Sequence, residues 1–182
     1  MPSWAKDGAI GNRMINARAE TAHEKPSFRA AFKRRRCVIL ADGFYEWRVR
    51  ADGKVPYFIV RGDGRPMAMA GLWEHWSGGG GEPLETCTIL TTAANEVIAP
   101  LHARMPVVFG PAAVGRWLDS KTNETPVAQS VLQDADNDGL VYRPVSRAVN
   151  DPRNDGPALI ERDAAIGDGE HAGHQSRSSP KR

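Results

Sequence analysis

The chain has 182 residues, of which 41% are hydrophobic, and a formal net charge of +2. This length is enough for one domain with a sizeable core. No stretch approaches the ~18 apolar residues of a membrane-spanning helix, and the first residues, MPSWAKDGAIGNR, lack the apolar centre of a signal peptide. Two cysteines without CxxC spacing argue against a disulfide framework and a structural zinc. We therefore expect a cytoplasmic protein with no membrane contact.

Basic residues are concentrated near the start of the chain. Between Arg13 and Arg50 there are ten Lys or Arg and four Asp or Glu. An excess of this kind suggests a polyanionic partner, because phosphate contacts release counterions. The densest run, KRRR at 33–36, is explained as simply by a solvated helix end that the helix dipole favours, and we prefer that interpretation for the run itself.

The first predicted element is a short helix opened by Pro26, with Phe28, Ala31 and Phe32 on one apolar face. Three strand-like runs follow, CVILA, FYEWRV and VPYFIVR. The second and third are separated by an Asp-Gly pair at 52–53, which is a strong hairpin signal. This part of the chain predicts a helix followed by an antiparallel meander.

The following segments continue the pattern of strands with short helices. MAMAGLWEHW and LETCTILTT are predicted strands, AANEVIA is a predicted short helix capped by Thr91 or Thr92, and HARMPVVF is strand-like. Gly-Pro and Thr-Pro pairs then open two helices, and LVYRPVS is the last strand. We predict one domain over residues 1–162 and a polar, disordered tail over 163–182. The fold class is α+β and mostly β.

Two motifs suggest ligands that the sequence does not support. Residues 134–139 match the opening of an EF-hand loop, but Val145 stands where the bidentate Glu is required. The glycines at 78–81 precede Glu-Pro rather than a helix with Lys-Ser/Thr, so they are not a phosphate-binding loop. We therefore expect no metal and no cofactor.

An ionisable acid lies inside an aromatic run. Glu46 stands between Tyr45 and Trp47 in GFYEWR. A buried carboxylate needs a partner or a shifted pKa, because an unpaired buried charge is costly. In an alternating strand, however, Glu46 faces away from both neighbours, and an ordinary solvated side chain is the alternative.

Five stretches together carry a resemblance: PSWAKD, NARAET, ADGFYEW, LHARMPVVF and PVSRAVNDPRNDGP. In this order and spacing they closely resemble the SRAP family, the SOS-response-associated peptidases or abasic site processing proteins. The resemblance extends from Pro2 to about Ile160. It implies a compact, barrel-like mixed sheet with peripheral helices, and a nucleoid-associated DNA-damage protein that binds single-stranded DNA at abasic sites with peptidase- or lyase-type chemistry.

The resemblance also implies a site. Family members attach to abasic sites through an N-terminal cysteine, whose amine and thiol condense with the sugar aldehyde, and the surrounding Asn, Glu and His correspond to Asn16, Glu46 and His102. A carboxyl group dried by apolar neighbours, here the aromatic residues beside Glu46, can donate the proton that opens the sugar ring. His102 would shuttle protons and Asn16 would orient polar groups.

Three further residues are candidates for DNA contact. Arg18 and Arg104 suit phosphates, and Trp4 would stack on a base or wedge against it. Ordinary structural roles are the alternatives for the whole set: a core histidine at 102, a turn residue at 16 and a core tryptophan at 4. Motif order favours the functional interpretation for the catalytic residues.

The family pattern begins Met-Cys-Gly-Arg upstream of its PSW motif, whereas this sequence starts inside that motif. The terminal cysteine is therefore missing, and we expect the chain as given not to form a denaturant-stable adduct with abasic DNA. Two alternative functions follow: a non-covalent single-stranded DNA-binding module, or a thiol peptidase using Cys37 or Cys87 with His102. The second is disfavoured because nothing places a base beside either thiol, and both cysteines are predicted to be buried in strands.

Overall fold

The computed structural model describes residues 1–51, 53–78, 82–119 and 124–166. The predicted tail lies outside these residues from position 167 onward. The secondary structure is β1 (Asn16–Arg18), α1 (Arg29–Arg34), β2 (Arg36–Ala41), β3 (Phe44–Arg50), β4 (Gly53–Arg61), β5 (Met67–Trp76), β6 (Leu84–Ala93), β7 (Arg104–Pro106), β8 (Val108–Phe109), α2 (Pro111–Leu118), α3 (Thr125–Gln133) and β9 (Leu140–Pro144), with short 3-10 turns at Gly8–Arg13, Arg147–Asn150 and Pro157–Leu159.

The larger sheet has six strands in the order β1-β6-β5-β2, with β7 beside β6 and β8 beside β5. β1 runs parallel to β6 and the other pairs are antiparallel, so the sheet is mixed. β5 and β6 separate at one end, and the β7–β8 segment lies between them. There the Val107 amide donates to the Leu90 carbonyl (2.9 Å), and the Ala70 amide donates to the Val107 carbonyl (2.8 Å).

The smaller sheet has the order β3-β4-β9, and its first two strands form the predicted hairpin. Gly43, just before β3, is required by close packing. A Cβ atom there would lie 2.3 Å from the Ile59 carbonyl oxygen and 2.5 Å from the Phe58 ring. These distances are too short for any side chain. Gly43 therefore lets β3 start directly against β4.

Two hydrophobic cores lie on opposite faces of the larger sheet. The helices cover one face, where Phe32 of α1, Trp117 of α2 and Val131 of α3 are buried. The smaller sheet faces the other side, and Tyr57 and Ile59 pack there against residues of the larger sheet. The expected α+β, mostly β, barrel-like architecture with peripheral helices is confirmed, in the form of a half-barrel of two facing sheets.

The predicted helix in AANEVIA is wrong. The segment forms successive turns, in which the Asn95 side chain accepts a hydrogen bond from the Ile98 amide (3.0 Å). Pro100 explains the difference, because it has no amide proton and disfavours helical geometry in the residue before it. The turns end at His102, whose amide donates to the Ile98 carbonyl (3.1 Å).

The basic run divides into two parts. Residues 33–34 are exposed in the last turn of α1, as a solvated helix end would be. Arg35 instead pairs with Glu74 of β5 at 2.6 Å, and Arg36 donates to the Trp117 carbonyl (2.7 Å) while its guanidinium carbon lies 5.5 Å from the Trp117 ring centre. Half of the run therefore fixes α1 and α2 to the larger sheet.

The cysteines differ in exposure. Cys37 is half-buried, but Cys87 is exposed, so the prediction that both are buried is wrong for Cys87. Exposure increases along that face of β6, from partly buried Ile89 to exposed Cys87 and Glu85. In the described residues, no helix is long and apolar enough to cross a membrane.

Candidate active site

Glu46 faces the space between the two sheets. It pairs with Tyr57 of β4, whose side chain is buried in the core between the sheets. Because side chains alternate along a strand, Tyr45 and Trp47 lie on the opposite face. There Tyr45 packs on Phe58 and Trp47 donates to the Asn150 side chain. The inner surface of the half-barrel, rather than the two neighbouring aromatic residues, therefore shields Glu46 from water.

Asn16 and Arg18 face the same space from the larger sheet. Both are exposed on β1, whereas Ala17 between them is buried in the core under the helices. Their register partners on β6 are Ile89 and Thr91, and Ile89 packs against the core between the sheets. The two predicted residues thus line the cleft opposite the smaller sheet, which the motif order alone did not show.

Glu46 and His102 approach one another in this cleft. His102 Nδ1 lies 3.8 Å from Glu46 Oε1. Burial raises the pKa of the Glu46 carboxyl, and the His102 charge and a hydrogen bond from the Trp47 amide oppose that increase. A carboxyl group whose pKa is raised holds its proton to a higher pH, which suits a proton donor.

The position of His102 is fixed by the backbone of Arg104. Its Nδ1 atom lies 3.0 Å from the Arg104 amide nitrogen and 2.9 Å from the Arg104 carbonyl oxygen. A neutral imidazole with a bare Nδ1 accepts from the amide, and an imidazole protonated at Nδ1 donates to the carbonyl or toward Glu46. The same turn therefore offers His102 Nδ1 a hydrogen-bond partner whether or not Nδ1 carries a proton.

Arg104 is held by a carboxylate that the sequence did not single out. Its guanidinium donates to both oxygens of Glu20, at 2.9 and 2.8 Å, and also to Thr91. This bidentate hydrogen bond is the main cause that lowers the pKa of Glu20, and the charge of Arg18 contributes in the same direction. Glu20 thus holds Arg104 across β6 and close to the predicted Arg18.

Trp4 lies at a different place. It is 58% exposed, as a residue that contacts a ligand requires. However, the carbonyl of its neighbour Ala5 accepts from the Trp76 indole (2.6 Å), and Trp76 pairs with Leu84 at the start of β6. Arg104 pairs with Ala93 at the other end of β6. Trp4 therefore lies apart from Arg18 and Arg104, the other two candidates for DNA contact.

One important residue in the segment rejected as a calcium loop was missed. Asn137 is 5% exposed, accepts from the Val108 amide (3.1 Å) and donates to the Pro106 carbonyl (3.0 Å). Its own carbonyl accepts from the Asn95 side chain (2.9 Å). Asn137 thus holds the β7–β8 segment and the turn before His102 together. Nothing in the sequence distinguishes it from the neighbouring acidic residues.

Other chemistries find little support in this structure. Burial raises the pKa of the Cys37 thiol to about 11, which disfavours the thiolate that a peptidase needs. Cys87 is exposed in the first half of β6. Among the residues that the structure describes, no group of three or more His, Cys, Asp or Glu side chains could hold a metal ion.

The fold and the cleft together define a class: a half-barrel of two facing sheets with a carboxyl–imidazole pair and arginine side chains in the cleft between them. The model of the family described as SOS response associated peptidase (SRAP) matches residues 1–152. The chain belongs to this family, and the resemblance found in its motifs is confirmed.

Curated relatives are similar over most of the chain. "Abasic site processing protein YoqW" of Bacillus subtilis is 46% identical over 162 residues, which is 88% of this chain and 72% of that protein. "Abasic site processing protein HMCES" of Gallus gallus is 37% identical over 185 residues, covering 88% of this chain and 54% of that protein.

Solved structures show the same fold. A protein from Bacteroides thetaiotaomicron superposes with a TM-score of 0.78 at 28% identity, covering 89% of this chain and 73% of that one. A protein from Bordetella bronchiseptica has a TM-score of 0.68 at 30% identity, covering 80% and 74%.

Proposed function

We propose that this protein binds single-stranded DNA and processes abasic sites, and that Glu46 and His102 open the sugar ring. The observation that carries the proposal is the pair itself: a half-buried carboxyl with a raised pKa, 3.8 Å from an imidazole, in a cleft lined by arginines. The names of the relatives support the abasic substrate. This function would place the protein at the nucleoid.

The reaction is an isomerisation that needs one donor and one acceptor of protons. Protonated Glu46 donates to the ring oxygen while His102 accepts the proton of the anomeric hydroxyl. The bond between the anomeric carbon and the ring oxygen breaks, giving a free aldehyde and a hydroxyl group. The imidazolium then returns a proton to the carboxylate across the 3.8 Å separation, so the pair is restored.

The remaining cleft residues would position the DNA. Asn16 would hydrogen-bond the sugar or a neighbouring phosphate without titrating. Arg18, exposed on the cleft side of β1, would bind a phosphate, and Arg104 would add a positive charge that Glu20 keeps in place. Trp4 lies near the start of β6, far from Arg104, and would contact a base farther along the DNA strand.

The ring-opening step can be measured directly. The substrate is a single-stranded oligonucleotide with one abasic site, and methoxyamine captures each aldehyde as an oxime with release of water. We expect the protein to accelerate capture, and Glu46→Gln to reduce the protein-dependent rate by roughly 10²–10⁴-fold, as for the loss of a general acid. Binding to intact single-stranded DNA should be unchanged.

Glu85→Gln is the matched control, because Glu85 is exposed on β6. It should accelerate capture as the wild type does. Equal rates for Glu46→Gln and the wild type would contradict the assignment of Glu46. A protein that binds abasic and intact strands equally and never accelerates capture would instead be a non-covalent binding module.

A further inference from the structure

Two arginines continue the inner face of β3 beyond Glu46. Arg48 and Arg50 are two and four residues farther along the strand, so their side chains share the inward face with Glu46. Their register partners on β4 are Val55 and Gly53. Val49, between them, is 75% exposed on the outer face. The small sheet therefore carries a carboxyl and two cations in one row facing the cleft.

Two tyrosines lie against this row. The ring centroids of Tyr57 and Tyr142 are 5.3 Å apart in an edge-to-face arrangement, which joins β4 to β9. Arg50 donates to the Tyr57 hydroxyl, and its guanidinium carbon is 5.8 Å from the Tyr57 ring centre. Arg50 thus fixes the Tyr57 ring, and through it the ring of Tyr142.

Two groups in this cluster lack a polar partner in the part of the chain that the structure describes. The Tyr142 hydroxyl is buried and makes no hydrogen bond to any of these residues. Arg48 is half-buried, and within the described ranges no carboxylate forms an ion pair with it. Burial raises the pKa of Tyr142, and the positive charge of Arg48 opposes this increase. A donor and a cation that are partly desolvated and unmatched are costly unless an anion binds them.

We propose that Arg48 and Tyr142 form a subsite for one backbone phosphate of single-stranded DNA, beside the nucleotide that reacts at Glu46. This inference rests on the proposed function. A guanidinium and a phenol hydroxyl are both donors, and arginine matches the oxygens of a phosphate. The two-residue step from Glu46 to Arg48 is about 6.8 Å along a strand, which puts the subsite beside the reacting nucleotide.

The first experiment measures affinity for a single-stranded oligonucleotide at several salt concentrations. Arg48→Gln should weaken binding about tenfold at low salt, as for a lost charge-assisted contact, and should reduce the slope of log K against log[salt] by roughly 0.7. Arg48→Lys should retain most of the slope, because it keeps the charge. Arg13→Gln removes an exposed arginine at the end of the Gly8–Arg13 turn and is the control; it should bind more tightly than Arg48→Gln.

Tyr142→Phe separates a binding role from a structural one. Removing a buried hydroxyl that has no partner should leave the melting temperature unchanged or raise it, yet affinity for the oligonucleotide should fall several-fold. A lower melting temperature with unchanged affinity would show that the hydroxyl serves the fold and would overturn the subsite.

The second experiment locates the phosphate. Oligonucleotides with one abasic site and a single uncharged methylphosphonate linkage, moved along the strand, are bound to the wild type and to Arg48→Gln. We expect the linkage next to the abasic site to weaken wild-type binding and to have no further effect on Arg48→Gln, which is a coupling between the two changes. Equal losses in both proteins at every linkage would overturn the subsite alone, whereas a wild type that does not bind single-stranded DNA would overturn both proposals.

Discussion

At the residue scale, the environment of Glu46 depends on strand alternation. Its two aromatic neighbours point away, and Tyr57 on the next strand stands beside it. The half-barrel interior raises the pKa of Glu46, and His102, which the turn after Ile98 delivers, opposes that increase. The pKa of this carboxyl therefore lies above its ordinary value, and Glu46 keeps its proton to a higher pH than a solvated carboxyl would.

The raised pKa of Glu46 has a consequence for stability. The folded protein binds this proton more tightly than the unfolded chain, so wild-type stability decreases as pH rises from the unfolded-state pKa, about 4.3, through the folded-state value. Glu46→Gln has no proton to lose in that window. We expect its melting temperature relative to the wild type to increase across the window and to stay constant above it, measured by circular dichroism.

Glu85→Gln should show no comparable trend in the same measurement, because Glu85 is exposed. The opposite result would be a melting temperature of Glu46→Gln that falls relative to the wild type as pH rises. It would mean that His102 stabilises the carboxylate more than burial destabilises it. In that case Glu46 would not be the proton donor that the proposed function requires.

At the scale of elements, β3 is the strand on which the site depends. It carries the proposed acid and the two arginines of the further inference, and its start is fixed by the contact of Gly43 with β4. The β7–β8 segment positions His102, which lies just before it, in the same way as β3 positions Glu46. Buried Asn137 holds this segment between β5 and β6. Two short segments therefore set the distance between Glu46 and His102.

Gly43→Ala should disturb both the fold and the site. The new methyl group would meet the Ile59 carbonyl at 2.3 Å, and the backbone must move, which costs about 1–3 kcal/mol of unfolding free energy. Because β3 shifts with it, the protein-dependent rate of aldehyde capture should also fall. Urea unfolding and the capture assay measure the two effects.

Gly115→Ala is the matched control for this change. Gly115 lies in α2 and a Cβ atom there meets nothing within 4 Å. Alanine should therefore stabilise the helix by about 0.5–1 kcal/mol and leave aldehyde capture unchanged. A Gly43→Ala protein as stable as the wild type would show that β3 can move away from β4 at little cost.

At the scale of the whole molecule, the two sheets form a cleft that receives residues from distant parts of the chain. Asn16 and Arg18 come from one wall, Glu46 and Arg48 from the other, and His102 from the turn that precedes β7. Of the basic residues between Arg13 and Arg50, Arg18 lies on one wall of the cleft and Arg48 and Arg50 lie on the other. A flexible single strand can follow such a cleft, whereas a duplex must first expose its sugar.

We therefore expect a preference for single-stranded DNA. Extracting a nucleotide from a duplex costs a few kcal/mol, so affinity for an abasic single strand should exceed that for the matching duplex by at least roughly tenfold. Binding should weaken steeply with salt, because phosphate contacts dominate. Fluorescence anisotropy with both forms tests this, and equal affinities or binding that is insensitive to salt would contradict it.

The sequence by itself determined the family, the fold class and most strands, because these depend on local patterns. Alternation and the Asp-Gly and Gly-Pro pairs can be recognised within a few residues, and each family motif is a short stretch whose order follows directly from the sequence. The same patterns failed at AANEVIA, where the later Pro100 ends any helix, and at Cys87, which is exposed although it lies in a strand.

Only the tertiary structure decided which charges meet. Glu20 holds Arg104, His102 approaches Glu46, and Arg48 remains without a carboxylate in the described residues. No local feature of the sequence indicates these pairings. The physical reason is that pairing energies and pKa values depend on distances of a few ångströms and on burial. Those quantities are set by strand register and by the packing of one sheet on the other, which no local pattern contains.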